Sequence, residues 1–314
     1  MKNVVVTGCA GFIGSQLTGV LLKKKVRVFG IDNLSTGNID NIKDFINHKN
    51  FFFFKKDLLN TKSLSKIFNK KISTVFHLAA NADVRFGTNH PDKDLKQNTV
   101  VTFNVLNEMR KFNVKNIVFS STGSIYGEAK EFPTKEFSKF PIQTSLYGAS
   151  KLACESMIQA FCFGYGMKCW IFRFVSVLGK NYSHGHVIDF FNQLKQNKNK
   201  LKVLGNGNQL KSYMDVDDCV DGILLGYNKS KNNINIFNLG QDNAITVKQS
   251  INKITTVLNL KPNLKFLGGK RGWIGDSPKI ILDVKKIKSL GWKPKYTIYD
   301  SIERTIEYLQ RKNK

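Results

Sequence analysis

The feature that most constrains the fold is a glycine-rich turn between a buried strand and a helix near the start of the chain. Three valines at 4–6 are typical of a parallel strand that is covered on both faces. Gly8, Gly11 and Gly14 follow, and they let the backbone turn sharply and approach a ligand closely. The apolar residues beyond the turn recur at helical spacing: Ile13, Leu17, Val20 and Leu21.

An acidic residue completes this pattern. The next predicted strand, residues 26–31, is followed directly by Asp32. The N-terminus of a helix offers unpaired N–H groups to a pyrophosphate, and an acid in this place accepts hydrogen bonds from an adenosine ribose. No arginine follows Asp32, and a carboxylate repels a 2′-phosphate, so the pattern favours NAD over NADP. A glycine-rich turn that binds nothing is the alternative, and the strand, helix and acid at these distances argue against it.

The same alternation of strand and helix continues through the first half of the chain. Buried strands are predicted at 51–54, 74–80, 114–121 and 168–175. Helices are predicted at 39–48, 61–70, 92–112 and 145–165. Leu95, Val101, Val105 and Met109 are expected on one face of the helix at 92–112. This order predicts an α/β fold with a Rossmann-type, doubly wound parallel sheet that binds ligands at the carboxyl ends of its strands.

Beyond residue 176 the alternation loosens. Helices at about 184–197, 217–228, 247–259 and 300–312 are separated by turn-rich stretches. We therefore predict an NAD-binding domain at 1–175 and a second, smaller, mixed α/β substrate domain at 176–314, with some segments interleaved.

The strongly basic composition raises the hypothesis of a nucleic-acid partner. The formal net charge is +26 over 314 residues, and basic patches attract nucleic acids. However, only seven of the 49 basic residues are arginines, whereas base readout relies strongly on arginine. The lysines are scattered over predicted helix faces, so we interpret them as a solvated surface and expect no nucleic-acid partner. Their positive field would still attract an anionic substrate.

Other sequence features point to a cytoplasmic enzyme without a metal. No apolar run approaches the length of a membrane helix, and a strand predicted at the amino end leaves no room for a signal peptide. The five cysteines form no C-x-x-C pair and are expected as buried thiols in a reducing compartment. His77, His184 and His186 have no carboxylate or cysteine at ligand spacing. We interpret His77 as packing near the cofactor and predict no membrane contact and no metal.

A tyrosine and a lysine indicate the chemistry. Tyr147 and Lys151 are four residues apart in a predicted helix, so their side chains project from the same face. A free phenol has a pKa of about 10 and is a poor base at neutral pH. A nearby ammonium and a positive nicotinamide ring both favour the phenolate and lower that pKa. Such a pair is common on helix surfaces, but after a dinucleotide-binding pattern and a Ser-Ser-Thr segment at 120–122 we interpret it as catalytic.

Taken together, these motifs resemble a known enzyme family over nearly the whole chain. The matching segments are 7–14, 32–34, 57–58, 77–80, Asn98, 120–127, 147–151, 204–217, 238–240 and 271–283. The chain resembles the extended short-chain dehydrogenase/reductases of the NAD-dependent sugar-nucleotide epimerase/dehydratase family, and within it the UDP-glucose 4-epimerases.

The resemblance implies a role for each matching residue. It implies that NAD is bound by Gly8, Gly11, Phe12, Ile13, Gly14, Asp32, Asn33, Asp57, Leu58, Leu78, Ala79, Ala80, Tyr147 and Lys151. It implies that Thr122, Tyr147 and Lys151 are catalytic. It implies that the nucleotide sugar is bound by Asn98, Thr122, Ser176, Lys211, Arg271 and Asp276.

Two small residues distinguish between the reactions of this family. Its 4,6-dehydratases have Asp-Glu directly after the threonine, because elimination of water needs an acid and a base, and its decarboxylases have a Glu at the second position. Here the two positions are Gly123 and Ser124, whose side chains cannot supply the acid or the base that these reactions need. This implies epimerisation, most simply at C4 of a UDP-hexose through a transient 4-keto sugar. The alternative is that this loop only packs and that acids come from elsewhere.

Some departures from the family pattern leave the sugar and the nucleotide open. Lys211 stands where the family usually has arginine, so the bidentate contact with phosphate is absent. Extra residues separate Arg271 from the Gly-Asp pair at 275–276, and Ser176 replaces an asparagine of many relatives. An epimerase or dehydratase/reductase acting on dTDP-, GDP- or CDP-sugars therefore remains an alternative, as does a non-catalytic NAD-binding regulatory protein. By analogy with the family, we expect a homodimer through the helices at 92–112 and 145–165.

Overall fold

The computed structural model describes residues 2–139 and 142–312. The strands, in chain order, are β1 (Asn3–Thr7), β2 (Arg27–Asp32), β3 (Phe51–Lys55), β4 (Thr74–His77), β5 (Asn116–Thr122), β6 (Lys168–Phe174), β7 (Ser176–Leu178), β8 (Lys200–Val203), β9 (Leu210–Lys211), β10 (Tyr213–Asp215), β11 (Ile234–Leu239), β12 (Ile245–Thr246), β13 (Asn263–Phe266) and β14 (Lys279–Ile280). The α-helices are α1 (Phe12–Lys23), α2 (Ser65–Phe68), α3 (Val84–Asn89), α4 (Pro91–Asp94), α5 (Val101–Lys111), α6 (Leu146–Tyr165), α7 (His186–Gln196), α8 (Val216–Lys229), α9 (Val247–Leu258), α10 (Lys285–Ser289) and α11 (Ile298–Lys312).

The central element is a seven-stranded parallel sheet. Its strand order is β11-β6-β5-β4-β1-β2-β3, and every neighbouring pair in it runs parallel. The order reverses direction between β1 and β4, which is the switch point at which doubly wound sheets bind their ligands. The predicted Rossmann-type fold is confirmed.

The run of valines in β1 is explained by helices on both faces of the sheet. Side chains alternate along a strand, so Val4 and Val6 join one hydrophobic core with residues of α1 and α8. Val5 joins the opposite core with residues of α2, α5 and α6. Because both faces are covered, none of the three valines is exposed.

A third core lies in the second half of the chain. It joins α7, α9 and α11 to residues of β7, β8 and β10, and the small sheets here pair β10 with β7, β13 with β8, and β9 with β12 and β14. The chain then returns, because β11 completes the central sheet beside β6. The division at residue 175 stays a prediction, and β11 is a segment from beyond it that lies within the first sheet.

Three predicted elements differ in detail from the structure. The helix expected at 39–48 is a pair of 3-10 turns, Ile39–Asn41 and Lys43–Phe45, and the helix expected at 61–70 is a 3-10 turn followed by the short α2. The strand expected to be buried, β3, is the edge strand of the sheet. Its Phe52 is 40% exposed and stacks on Phe29 of β2 at 5.1 Å between ring centroids, because an edge strand has a neighbour on one side only.

The long helix predicted at 92–112 is interrupted. Leu95–Val100 is a π-helical segment between α4 and α5. A π turn holds more residues than an α turn, so it rotates the residues before it relative to those after it. Val101, Val105 and Met109 are buried as expected, but Leu95 is 57% exposed, so its prediction on the same face was wrong.

Two further findings concern membrane spans and cysteines. Within the described ranges, no helix is both long enough and apolar enough to cross a bilayer. All five cysteines are buried free thiols.

A buried ion pair fastens β6 to α6, and a hydrogen bond from Ser121 adds the end of β5. Glu155 of α6 accepts hydrogen bonds from Arg173 Nε and Nη2, the latter at 2.6 Å, and from Ser121 Oγ at 2.5 Å. Arg173 Nη1 also donates to Tyr126 Oη and to the carbonyl oxygen of Glu136. Glu155 and Arg173 are both almost fully buried, and this network compensates the charge of each.

We expect Arg173→Met to lower the free energy of unfolding by about 3–5 kcal/mol, because it leaves the Glu155 carboxylate buried without a cation. Urea denaturation measures the change. Arg311→Met is the control, since Arg311 is exposed and lies 3.8 Å from Glu307, and it should change the stability by less than about 0.5 kcal/mol. The double variant Arg173→Met/Glu155→Met should recover part of the loss. Equal effects of the two single variants would contradict this account.

Candidate active site

A cavity of about 350 Å³ opens at the carboxyl ends of the parallel strands, beside the switch point between β1 and β4. The fourteen residues predicted for the cofactor all lie on its wall: Gly8, Gly11, Phe12, Ile13, Gly14, Asp32, Asn33, Asp57, Leu58, Leu78, Ala79, Ala80, Tyr147 and Lys151. They come from the turn after β1, from α1, from the end of β2, from the loops after β2, β3 and β4, and from α6, so residues far apart in the chain meet in one place.

The glycine-rich turn brings the N-terminus of α1 to this cavity. Gly8 has a φ of +70°, which a residue with a side chain rarely adopts. A Cβ on Gly14 would lie 2.0 Å from the carbonyl oxygen of Gly8, so the helix packs directly on the turn. The first intrahelical hydrogen bond runs from Ser15 N–H to Gly11 C=O, and no side chain caps the helix. The N–H groups of the first three helical residues, 12–14, are therefore available to an anion.

An acid closes the other side of the turn. Asp32 accepts hydrogen bonds from the N–H groups of Ala10 at 3.0 Å and Leu34 at 2.9 Å. Burial raises the pKa of this carboxyl, and the two N–H groups partly oppose that shift. Nearby, Asn33 donates to Asp57 at 3.0 Å, which ties the ends of β2 and β3 together. Each Asp32 oxygen retains a lone pair that can accept a hydrogen bond from a hydroxyl group in the cavity.

The predicted catalytic lysine is buried and anchored. Lys151 Nζ donates to the carbonyl oxygen of Ser120 at 2.9 Å and lies 4.6 Å from the centroid of the Phe119 ring. Burial lowers its pKa to about 8, while the charges of Cys154, Glu155 and Asp94 oppose that shift. The ammonium is therefore poised to lose its proton just above neutral pH.

The phenol of Tyr147 behaves differently from the expectation. Burial raises its pKa in the protein alone, and the charges of Asp94 and Cys154 raise it further. A hydrogen bond with Thr122 acts in the opposite direction. The protein alone therefore does not lower the pKa of Tyr147 as predicted, because burial disfavours the phenolate more strongly than the neighbouring groups favour it.

The 3-10 turn that follows β5 contains no acid. Thr122 Oγ1 accepts a hydrogen bond from Ser124 N–H at 3.1 Å and so begins the 3-10 turn Gly123–Tyr126. Gly123 is buried, and a Cβ there would lie 3.3 Å from the carbonyl oxygen of Phe174. The turn leaves little room for a larger residue at position 123.

The predicted phosphate-binding residues lie together, away from the cavity wall. Lys211 forms an ion pair with Asp276, which is almost fully buried, and its Nζ lies 4.8 Å from the centroid of the Trp273 ring. Arg271 Nη1 donates to the carbonyl oxygen of Asp276 at 2.7 Å, and Nη2 pairs with Glu128. Both cations are therefore already neutralised by internal carboxylates. Trp273 was not singled out by the sequence, although it belongs to the extra residues after Arg271.

Ser176 and Asn98 are placed differently from these residues. Ser176 is exposed at the start of β7. Asn98 is 1% exposed within the π segment. Its Oδ1 accepts from Asn81 N–H at 2.8 Å and its Nδ2 donates to Ser150 Oγ at 2.9 Å. Its amide is directed to protein groups, so in this structure Asn98 holds neighbouring segments and does not face the cavity.

A buried histidine connects these segments. Thr102 donates its one hydroxyl hydrogen to the carbonyl oxygen of Asn98 at 2.7 Å, so it accepts from His77 Nε2–H at 3.0 Å. The other ring nitrogen, Nδ1, then accepts from Thr7 Oγ1 at 2.7 Å. Burial lowers the pKa of His77 to about 3, which keeps the ring neutral. The ends of β1 and β4 are thus tied to the π segment, a role that sequence patterns could not indicate.

The cavity wall includes further polar residues that the sequence did not single out. Asn81 and Asp83 follow the small residues after β4, and Ser183 comes from the loop before α7, where His184, which the sequence analysis did name, also lines the wall. Arg85 pairs with Asp189 of α7 at 2.9 Å. The position of Asn81 and Asp83 directly after a strand end was the available signal. Among residues 2–139 and 142–312, no three His, Cys, Asp or Glu side chains are grouped as metal ligands.

Comparison with known proteins gives consistent results. The chain matches the model of the NAD dependent epimerase/dehydratase family over residues 4–240. It is 30% identical to the UDP-glucuronate 4-epimerase of Thermodesulfobacterium geofontis, over 98% of this chain and 96% of that protein. The solved UDP-glucose 4-epimerase of Thermotoga maritima with UDP-glucose is 31% identical, with a TM-score of 0.90 over 99% of this chain and 100% of the other. The UDP-N-acetylglucosamine 4-epimerase of Methanobrevibacter ruminantium, in complex with UDP-N-acetylmuramic acid, is 28% identical, with a TM-score of 0.88 over 99% of each chain.

We expect Gly14→Ala to reduce the affinity for NAD at least tenfold, because its Cβ overlaps the carbonyl oxygen of Gly8 and displaces the turn from α1. Isothermal titration calorimetry with NAD measures the affinity. Gly164→Ala in α6 is the control, since a Cβ there meets no atom within 4 Å. It should leave the affinity unchanged and stabilise the helix by up to about 1 kcal/mol. Unchanged binding by Gly14→Ala would refute the assigned position of the turn.

Proposed function

The chain belongs to the NAD-dependent epimerase/dehydratase family, and we propose that it inverts C4 of a UDP-hexose through a transient 4-keto sugar. One combination of features carries the proposal. Tyr147 and Lys151 open into the same cavity as the glycine-rich turn, while the two residues after Thr122 are Gly123 and Ser124. The pair is suited to remove a hydroxyl proton, and neither of these two positions has an acid for elimination of water or for decarboxylation.

The residues of the cavity fit NAD. The free N–H groups at the start of α1 suit the pyrophosphate, and Gly8 and Gly14 leave the backbone bare for its close approach. Asp32 lies at the end of β2 and could accept hydrogen bonds from an adenosine ribose. The remaining wall residues, which follow β2, β3 and β4, would contact the adenine and the second ribose: Asn33, Asp57, Leu58, Leu78, Ala79 and Ala80.

The proposed chemistry assigns one task to each catalytic side chain. Tyr147 Oη takes the proton of the C4 hydroxyl, and Thr122 stabilises the phenolate through their hydrogen bond. Lys151 supplies positive charge from its anchor on Ser120. A bound NAD would supply the hydride acceptor and donor for C4, so that the hydride could be returned to the opposite face of the sugar. Tyr147 then gives its proton back to the new hydroxyl, so that nothing is lost from the substrate.

Inversion requires the sugar to turn while the diphosphate stays in place. We assign the diphosphate to Lys211 and Arg271, which lie on either side of Asp276. A diphosphate would replace Asp276 and Glu128 as their partner, so the exchange conserves charge pairing. We propose that Ser176 lies near the sugar phosphate. Asn98 would act there indirectly, through the segments that it holds in place.

The names of the relatives guide the choice of sugar. They act on UDP-glucose, UDP-N-acetylglucosamine and UDP-glucuronate. The assay should therefore include each of these sugars and its C4 epimer, with dTDP-, GDP- and CDP-hexoses as the alternatives. No cofactor should be added, because hydride transfer in both directions regenerates NAD.

We also propose a cytoplasmic homodimer. The exposed apolar side chains of the π segment, α5 and α6 support the dimer: Leu95, Val100, Phe103, Phe163 and Tyr165. Phe103 and Phe161 pack edge to face at 6.3 Å between centroids, so the two helices present one apolar surface, as expected of an interface. The five free thiols support a reducing compartment.

We expect Tyr147→Phe to lower the rate of C4 inversion by a factor of about 10² to 10⁴, because the base is lost, while NAD remains bound. Chromatography of the nucleotide-sugar products measures the rate. Tyr299→Phe, in the exposed part of α11, is the matched control and should keep full activity. Turnover of another nucleotide series would replace UDP in the proposal. Release of water or CO₂ by the wild-type protein would contradict epimerisation.

We expect Phe103→Glu to convert the dimer to monomers, because it places a charge in the apolar surface of α5. Light scattering coupled to size-exclusion chromatography measures the mass. Leu264→Glu in β13 is the control, since Leu264 is similarly exposed at 42% and lies outside that surface. A monomeric wild-type protein, or a dimeric Phe103→Glu, would contradict this assembly.

A further inference from the structure

Asp94 is a buried acid behind the catalytic helix that the proposed chemistry does not use. It ends α4 and is 1% exposed. One carboxylate oxygen, Oδ1, accepts from Asn81 Nδ2 at 2.8 Å and from Asn98 Nδ2 at 3.3 Å. Among the residues that the structure describes, the other oxygen, Oδ2, is buried without a hydrogen-bond partner. An unpaired buried oxygen destabilises a fold, so its presence beside an active centre requires an explanation.

The amide of Asn98 connects Asp94 to the turn of α6 that carries Tyr147. Asn98 Nδ2 also donates to Ser150 Oγ at 2.9 Å, and Ser150 donates to the carbonyl oxygen of Tyr147 at 2.9 Å. On the other side of the amide, Asn98 Oδ1 accepts from Asn81 N–H. A carboxylate accepts hydrogen bonds only, so Asp94 fixes which way the Asn98 amide points.

Gly87 shows that the unpaired oxygen lies in a closely packed place. A Cβ on Gly87 would lie 2.0 Å from Asp94 Oδ2. The backbone of α3 therefore covers this oxygen, and no side chain from position 87 can reach it as a donor.

Several charges face Asp94 from the elements around it. Lys151 approaches from α6 and Asp83 from the segment after β4, and burial raises the pKa of Asp94 itself. The Asp94 charge raises the pKa of Lys151 and that of Tyr147.

Each catalytic group is also influenced by other residues. Lys151 is faced by Cys154 and Glu155 of its own helix and by His77 of β4, and Tyr147 is faced by Thr122 and Cys154. Of these, Glu155 is committed to Arg173, whereas one oxygen of Asp94 has no partner. Asp94 is therefore the acid whose charge is least compensated by other residues.

We propose that Asp94 is a positioning residue for the reaction: its carboxylate orients Asn81 and Asn98 behind the turn of Tyr147 and Lys151, and its negative charge acts on this catalytic pair. This inference rests on the proposed function. It also explains why an unpaired oxygen is kept in a buried place, since local strain is common where it serves an active centre.

The first experiment compares pH profiles of turnover. Asp94→Asn keeps a carbonyl oxygen as the acceptor for Asn81 and Asn98 and removes the charge. Without the charge, the pKa values of Tyr147 and Lys151 both fall, so the acidic and the alkaline limb of the profile should both move to lower pH, by about one unit. Asp92→Asn is the matched control on α4, because Asp92 is exposed and pairs with Lys96 at 3.0 Å, and its profile should not move.

A loss of activity in Asp94→Asn with unmoved limbs would mean a merely structural role and would overturn the proposal. Asp94→Ser provides a second neutral variant if Asp94→Asn does not fold, since it places no amide against Gly87. It should shift the limbs in the same direction.

The second experiment needs no substrate and measures Tm between pH 4 and pH 8. A carboxyl whose folded pKa is raised contributes stability at low pH that is lost as the pH rises through that pKa. The Tm of Asp94→Asn minus that of the wild type should therefore increase with pH. For Asp92→Asn this difference should decrease with pH, because the pairing with Lys96 lowers the pKa of Asp92.

The electrostatic interaction with Lys151 is tested by repeating the series in a Lys151→Met background. Without the ammonium, the buried charge of Asp94 is less compensated, so the gain in Tm from Asp94→Asn at pH 7 should be larger. Equal gains in the two backgrounds would show no coupling and would overturn the proposal. If the wild-type protein turns over no nucleotide sugar, the proposed function fails, while the Tm series still decides whether Asp94 acts on Lys151.

Discussion

The geometry of the protein depends on how β1 pairs within the central sheet. It pairs with β2 on one side and with β4 on the other, and parallel strands of this kind are joined by right-handed crossovers. The helices that follow β1 and β4 therefore leave from opposite faces, and a cleft opens between them at the carboxyl ends. The turn at Gly8, the acid Asp32 and the small residues Ala79 and Ala80 all line this cleft because their strands end there.

Burial has opposite effects on the two central groups of the site. It lowers the pKa of Lys151 and raises that of Tyr147, because in each case it disfavours the charged form. The working protonation states at neutral pH are an ammonium and a phenol that can lose its proton. Both therefore depend on neighbouring charges. Asp94 and Glu155 support the ammonium from the protein, and the positive ring of the cofactor would support the phenolate.

The large net positive charge has less effect on the site than its magnitude suggests. The chain has a formal net charge of +26, yet the two cations assigned to the diphosphate are paired internally, Lys211 with Asp276 and Arg271 with Glu128. Most of the excess positive charge is therefore a property of the surface. It can attract an anionic nucleotide sugar at long range. On the proposed assignment, tight binding also requires the diphosphate to replace Asp276 and Glu128 as the partners of the two cations.

The sequence by itself determined the fold and the wall of the cofactor cavity. Local patterns indicated the strand of three consecutive valines, the glycines after it and the helix spacing that pairs Tyr147 with Lys151, and the family resemblance supplied the other residues of the wall. These patterns express backbone geometry, which few neighbours are needed to define. Only the tertiary structure decided which polar side chains compensate one another. The exposure of Leu95, the burial of Asn98, the pairing of Lys211 with Asp276 and the unpaired oxygen of Asp94 depend on segments distant in the chain. Hydrogen bonds and ion pairs act over a few ångströms in space, and sequence spacing carries no record of that distance.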